Sequence, residues 1–205
     1  MASIANTFFE VKNSNLINNA MQNIAGTFET SSEPDICASG FLCVKTELIP
    51  CSGYTNINNG NQWVMNAATS GAPETNGAMP EIYAFNSYDV NSVTGINGNT
   101  WRLGAEPAGL ELPAGAIGTF TKIIAGEIYR FGTGNFTTTP TSLPDYKYVT
   151  IANGLLVASN SEPSAGTGFY FEILNASAAE NYTVGTWNGG QCYRMIAQYA
   201  PQVGS

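Results

Sequence analysis

Turn-forming residues recur so closely along this chain that few stretches remain in which a helix of several turns could form. Asn58-Asn59-Gly60-Asn61, Asn97-Gly98-Asn99, Ala125-Gly126, Gly132-Thr133-Gly134-Asn135, Asn153-Gly154 and Asn188-Gly189-Gly190 all supply residues that tolerate a positive φ. Between these fences lie short runs rich in Tyr, Phe, Ile, Val and Thr, at 62–66, 81–86, 118–124, 127–131, 146–151, 155–158, 168–174, 182–187 and 191–199. Each has the length and composition of a strand. Asn153-Gly154, set between two apolar runs, is the strongest two-residue hairpin signal in the sequence. The expectation is a mainly β protein, an antiparallel β-sandwich or barrel, with long ordered loops at 67–80 and 88–116, where Gly, Pro, Asn and Ala follow no period.

The segment Phe41-Leu42-Cys43-Val44-Lys45-Thr46-Glu47-Leu48 alternates, with Leu42, Val44, Thr46 and Leu48 on one face and Lys45 and Glu47 on the other. That pattern predicts a half-buried strand. The first 30 residues read differently. Leu16, Ile17, Ala20, Met21 and Ile24 recur at helical spacing, with Ser14 placed to cap the start and Gly26 just past the end, which suggests a short helix at 15–25 behind an exposed arm. The asparagines of this leader compete for backbone hydrogen bonds, so a loop-and-arm reading stands beside the helix. The division expected is a 1–30 arm and a 31–205 β-rich body, with room for two subdomains and no sharp boundary between them.

Only 11% of the residues are charged, less than half the roughly 25% of an average protein, and 22 asparagines keep the surface polar instead. Such a surface suits dense packing against neighbours. Net charge is −8, and the seven basic residues are scattered along the chain, so no stripe is available to neutralise phosphates. Neither nucleic acid nor an anionic membrane is expected as a partner. The first ten residues lack the basic and then apolar pattern of a signal peptide, and no apolar run is long enough to span a bilayer.

Chemistry is hard to find. The chain has no histidine, which removes the commonest general base and the middle member of Ser-His-Asp and Cys-His arrangements. There is no nucleophile elbow and no phosphate loop; Gly132-Thr133-Gly134 and Gly166-Thr167-Gly168 run into strand or loop, so they read as turns. A glycosidase needs two cooperating carboxylates. Glu172 alternates against Phe169, Phe171 and Ile173 and is expected to face solvent, while Glu106 and Glu111 sit in a loop with nothing in the spacing to join them to it. Asp89-Val90-Asn91 with Gly95 is a poor match to a calcium loop. Cys37, Cys43, Cys51 and Cys192 form no Cys-x-x-Cys pair; buried thiols are the preferred reading, with a disulfide inside 37–51 or a four-thiolate zinc site as rarer ones. The sequons at Asn135, Asn175 and Asn181 are expected from chance in so Asn- and Thr-rich a chain. No cofactor and no catalytic residue is expected.

Aromatic residues two apart, Tyr83 with Phe85, Tyr129 with Phe131 and Tyr146 with Tyr148, share a strand face. They read first as sheet packing and second as a platform for a sugar or a partner protein.

The segment Leu110-Glu111-Leu112-Pro113-Ala114-Gly115-Ala116-Ile117-Gly118, continuing through Phe120-Thr121-Lys122-Ile123 to Gly126-Glu127-Ile128-Tyr129-Arg130-Phe131, resembles the head decoration, or cement, proteins of tailed bacteriophages. The likeness covers about a third of the chain and lies in turn-and-strand texture. It implies a non-enzymatic virion protein, made in the bacterial cytoplasm and placed on the capsid exterior as a homo-oligomer, a trimer by preference, that fastens the major capsid protein against internal DNA pressure. Phe8, Phe9, Val11, Leu16, Met21 and Ile24 are then the expected capsid contacts, the arm adding to a sheet edge of a capsid subunit. The alternative is a fibre, tail or adhesion module that binds a receptor or glycan through an aromatic platform.

Overall fold

The computed structural model describes residues 9–13, 23–49, 62–74, 77–86, 92–95, 100–102, 111–140, 147–174, 179–184 and 187–201, and among these there is no α-helix. In chain order the strands are β1 (Phe9–Asn13), β2 (Asn23–Thr30), β3 (Glu33–Pro34), β4 (Cys37–Ala38), β5 (Leu42–Leu48), β6 (Gln62–Ala67), β7 (Ile82–Phe85), β8 (Ser92–Gly95) and β9 (Thr100–Arg102). They continue with β10 (Glu111–Leu112), β11 (Ala116–Lys122), β12 (Ile128–Gly132), β13 (Tyr148–Ala152), β14 (Leu155–Ser159), β15 (Gly168–Ile173), β16 (Glu180–Val184) and β17 (Trp187–Ala200).

Five strands close a barrel in the order β2, β6, β5, β7, β11 and back to β2. A ring with an odd number of strands cannot alternate direction all the way round. One neighbouring pair must therefore run parallel, and here it is β2 with β6, where an all-antiparallel arrangement was expected. A second sheet of seven described strands runs β1, β12, β17, β15, β13, β14, with β16 also on β17, and curls into a half-barrel.

The barrel interior is filled by Phe28, Cys43, Met65, Tyr83, Phe85 and Phe120, one residue in two along each strand. So narrow a ring has no room for a side chain at every inward position. Gly26 and Gly118 face each other across β2 and β11. A Cβ on Gly26 would lie 2.7 Å from Met65 Cγ, and one on Gly118 would lie 2.7 Å from Phe85 Cε2. The short ribbon of β4 and β10 closes one end of the barrel by adding Cys37 and Leu112 to the same core.

A second core lies between the barrel wall and the half-barrel. Leu42, Ile82 and Ala84 come from the outward side of β5 and β7, and Phe131, Val149, Phe171 and Met195 from the sheet. All four residues of β7 are buried, which is why this strand reads as an unbroken apolar run. The turn Asn153-Gly154 between β13 and β14 ties the layers together: Leu42 N–H donates to Gly154 O at 2.9 Å and Gly154 N–H to Ala68 O at 2.8 Å. Asn153 and Gly154 both have positive φ, as the hairpin signal requires.

Three expectations need correction. Residues 23–25 of the expected helix belong to β2, where Ile24, Gly26 and Phe28 follow a period of two toward the barrel interior; residues 15–22 lie outside the described residues. The arm is also not separate from the body. β1 adds to the edge of the chain's own sheet, pairing Phe9 with Phe131 and Val11 with Tyr129. Phe9 has no exposed surface and packs at ring-centroid distances of 5.7 Å from Tyr129 and 5.2 Å from Phe131. The segment 88–116, expected as loop, carries β8, β9, β10 and the start of β11.

Two stability predictions follow from this packing. Phe9→Ala should cost about 3–5 kcal/mol, the range for truncating a fully buried aromatic, measured by urea unfolding; a loss under about 1 kcal/mol would mean that β1 is dispensable. Gly154→Ala combines a strained positive φ with a Cβ 2.2 Å from Phe41 Cζ. It should lower stability by at least about 2 kcal/mol, whereas Gly126→Ala, with open space around it, should show the φ penalty alone.

Candidate functional site

The end of the barrel opposite the β4–β10 ribbon carries a different kind of side chain. Following each inward row to this end leads from Cys43 to Lys45 on β5, from Met65 to Trp63 on β6, from Tyr83 to Glu81 just before β7, from Phe120 to Lys122 on β11, and from Gly26 to Ile24 on β2. Leu48 stands directly opposite Trp63, beyond a bulge in β5, and is 47% exposed. The mouth thus has an apolar half, Ile24, Leu48 and Trp63, and a charged half, Lys45, Glu81 and Lys122.

Glu81 is held from both sides. Lys122 Nζ donates to its Oε1 at 2.6 Å and Lys45 Nζ pairs with Oε2, while the Tyr83 hydroxyl sits 3.4 Å from Oε2. Lys45 also lies over the Trp63 ring, 4.8 Å from its centroid. About a third of each of the three charged side chains remains exposed. The hydrogen bond from Lys122, followed by that from Lys45, pushes the Glu81 carboxyl down to about 2. The same contact pushes Lys45 up. Two lysines sharing one carboxylate leave one positive charge in excess, in a chain whose net charge is −8. Nothing in local spacing links Lys45, Glu81 and Lys122. The available signal was that each is a charged residue placed two positions beyond the end of an inward apolar row.

A second group lies on the outer face of the seven-stranded sheet. Tyr148 and Tyr170 are 6.3 Å apart, Lys147 pairs with Glu172 at 2.8 Å, and Lys147 Nζ is 5.4 Å from the Tyr148 ring. Glu172 therefore faces outward, as its alternation with Phe171 and Ile173 anticipates, and engages a lysine; Glu111 sits in β10.

Of the residues expected to make partner contacts, the three described ones do not share one exposed surface. Phe9 is buried, half-buried Val11 packs on the core between the sheets, and Ile24 packs on the barrel core at its mouth. Phe8, Leu16 and Met21 lie outside the described residues. Of the aromatic pairs, Tyr83, Phe85, Tyr129 and Phe131 are core residues; Tyr146 lies outside the described residues, and Tyr148 finds Tyr170 as its neighbour. Cys37, Cys43 and Cys192 are buried free thiols, and burial followed by the neighbouring Cys43 raises Cys37 well above the ordinary range. Asn135 is buried and its amide donates to Ser39 O at 2.7 Å, a structural tie from the turn after β12 to the barrel. Among the described residues no three Asp, Glu, Cys or His side chains gather as a metal site, and no helix is long and apolar enough to cross a membrane.

No family model, curated protein or solved structure matches this chain.

The ion triad makes a pH prediction. A carboxylate whose folded pKa is depressed adds stability that is complete above its unfolded value and is lost as pH falls through the folded one. Glu81 should thus titrate near 2 by carbon-detected NMR of the side-chain carboxyl, and in Lys122→Met its midpoint should rise toward the ordinary value of about 4.3. A midpoint near 4 in the unaltered protein would mean that the triad does not form in solution.

Proposed function

We propose that this chain is a non-enzymatic virion protein that decorates and stabilises the outer surface of a phage capsid by binding the major capsid protein as a homo-oligomer, with a trimer favoured. The observation that carries this reading is the make-up of the outward face of the seven-stranded sheet. Ile128, Tyr148, Thr150, Val157, Tyr170 and Ile196 are all partly exposed there, on strands whose opposite face is committed to the core. This face sets aliphatic and aromatic groups beside Arg130, Glu172 and Arg194, a mixture that suits contact with a protein neighbour. The segment that resembles decoration proteins forms β10, β11 and all but the last residue of β12, the strands by which the chain passes from the barrel to the half-barrel. Phe9 is inside the core, so this face takes its place in the proposed attachment. An acidic body fits the outside of a capsid better than its DNA-facing lumen.

A second reading has its own support. The Tyr148–Tyr170 pair, with Lys147 and Glu172 beside it, is an aromatic platform of the kind a receptor- or glycan-binding fibre or tail module uses.

Antibody raised against the purified chain, applied to phage particles from the strain that encodes it, separates the readings. Gold label distributed over the heads, with the chain co-sedimenting in many copies per particle, is the expected result. Label confined to tails or fibres would favour the adhesion module, and absence from purified particles would overturn both.

A further inference from the structure

We propose that the mouth of the five-stranded barrel, where Lys45, Lys122, Trp63 and Leu48 keep exposed surface, is a binding site for a carboxylated sugar, of the uronic or sialic acid type, held by Lys45 and Lys122 and covered on its apolar face by Trp63. This goes beyond the capsid reading and holds wherever on the particle the chain resides.

The geometry narrows the ligand class stepwise. Glu81 already demonstrates the recognition chemistry, since it sits between the two lysines and receives a hydrogen bond from each. Each ammonium has three donors, so a second carboxylate can be shared between them in the same manner. A simple anion would use these donors and leave exposed Leu48, and the part of half-buried Trp63 that Lys45 does not cover, without a partner. A neutral sugar would cover the ring but leave the excess positive charge unused. Polyanionic nucleic acid is disfavoured by the −8 charge of the chain. An extended peptide would bind through its main chain along a strand edge and make no use of the lysine pair or Trp63. What remains is a compact ring with one apolar face and one carboxylate. The mouth of a small β-barrel is a recurrent place for such a ligand, because inward side chains from several strands converge there. The ligand must sit on the mouth, because Met65, Phe85 and Phe120 fill the interior beneath it.

The test uses the full chain carrying 13C-labelled, chemically unmodified lysines, whose ε-methylene NMR signals report on Lys45 and Lys122 directly. Titrants are a glucuronic-acid-terminated disaccharide, sialyllactose, lactose and inorganic phosphate. The proposal expects at least one acidic sugar to shift both lysine signals and to bind at least tenfold more tightly than lactose or phosphate. Lys122→Met and Trp63→Leu should each weaken that binding at least tenfold, while Ile36→Ala, exposed beside the β4–β10 ribbon at the other end of the barrel, leaves it unchanged. Should either mouth variant fail to fold, the lysine shifts of the unaltered protein and their loss at high salt decide the matter. Equal binding of lactose or phosphate, no shift at millimolar acidic sugar, or loss of binding in Ile36→Ala rather than in the mouth variants would each overturn it.

Discussion

The structure depends on a wall that is buried on both sides. β5 and β7 belong to the closed barrel, sending Cys43, Tyr83 and Phe85 inward, and the same strands send Leu42, Ile82 and Ala84 outward into the core shared with the half-barrel. Neither sheet can move away without exposing these residues to water, at roughly 1.5–3 kcal/mol for each large side chain. The two layers therefore form one packed unit joined by a shared wall, and the close approach of Asn153-Gly154 to Ala68 and Leu42 is possible because that wall fixes where the turn must land.

Much of this was legible in local pattern. Short Tyr-, Phe- and Val-rich runs between Asn/Gly fences became strands, and Asn153-Gly154 became a two-residue hairpin, because both signals act over a few residues. Pairing was not legible, since it is set by contacts between distant segments. Phe8-Phe9-Glu10-Val11 offered an alternating edge-adding strand, and the sequence alone could not tell that the edge lay in the same chain. Around Ile24, helical spacing with Leu16, Ala20 and Met21 competed with the period of two running through Gly26 and Phe28, and the need to close the barrel against β6 and β11 decided it. The mouth was invisible for a related reason: Lys45, Glu81 and Lys122 become neighbours only when three strands are aligned.

The candidate site and the fold are connected through that alignment. The barrel is too narrow to hold anything but its own side chains, as the facing Gly26 and Gly118 show, so polar groups on inward rows are pushed to the rim. There the hydrogen bonds from Lys122 and then Lys45 hold the Glu81 carboxyl down, while about a third of each of the three side chains stays exposed. The excess positive charge at the rim is local, and at physiological ionic strength it is felt over about 8 Å, so the acidic remainder of the surface does not cancel it for a ligand already at the mouth.

β17 is the longest described strand, with β12 along one flank and β15 and β16 in succession along the other. Tension applied along this strand would be resisted by rows of hydrogen bonds loaded together, in shear, on both sides; peeling an edge strand such as β14 breaks them one after another. The chain thus contains a built-in tendon, and a load carried between the two ends of β17 would stretch it only by breaking many bonds at once.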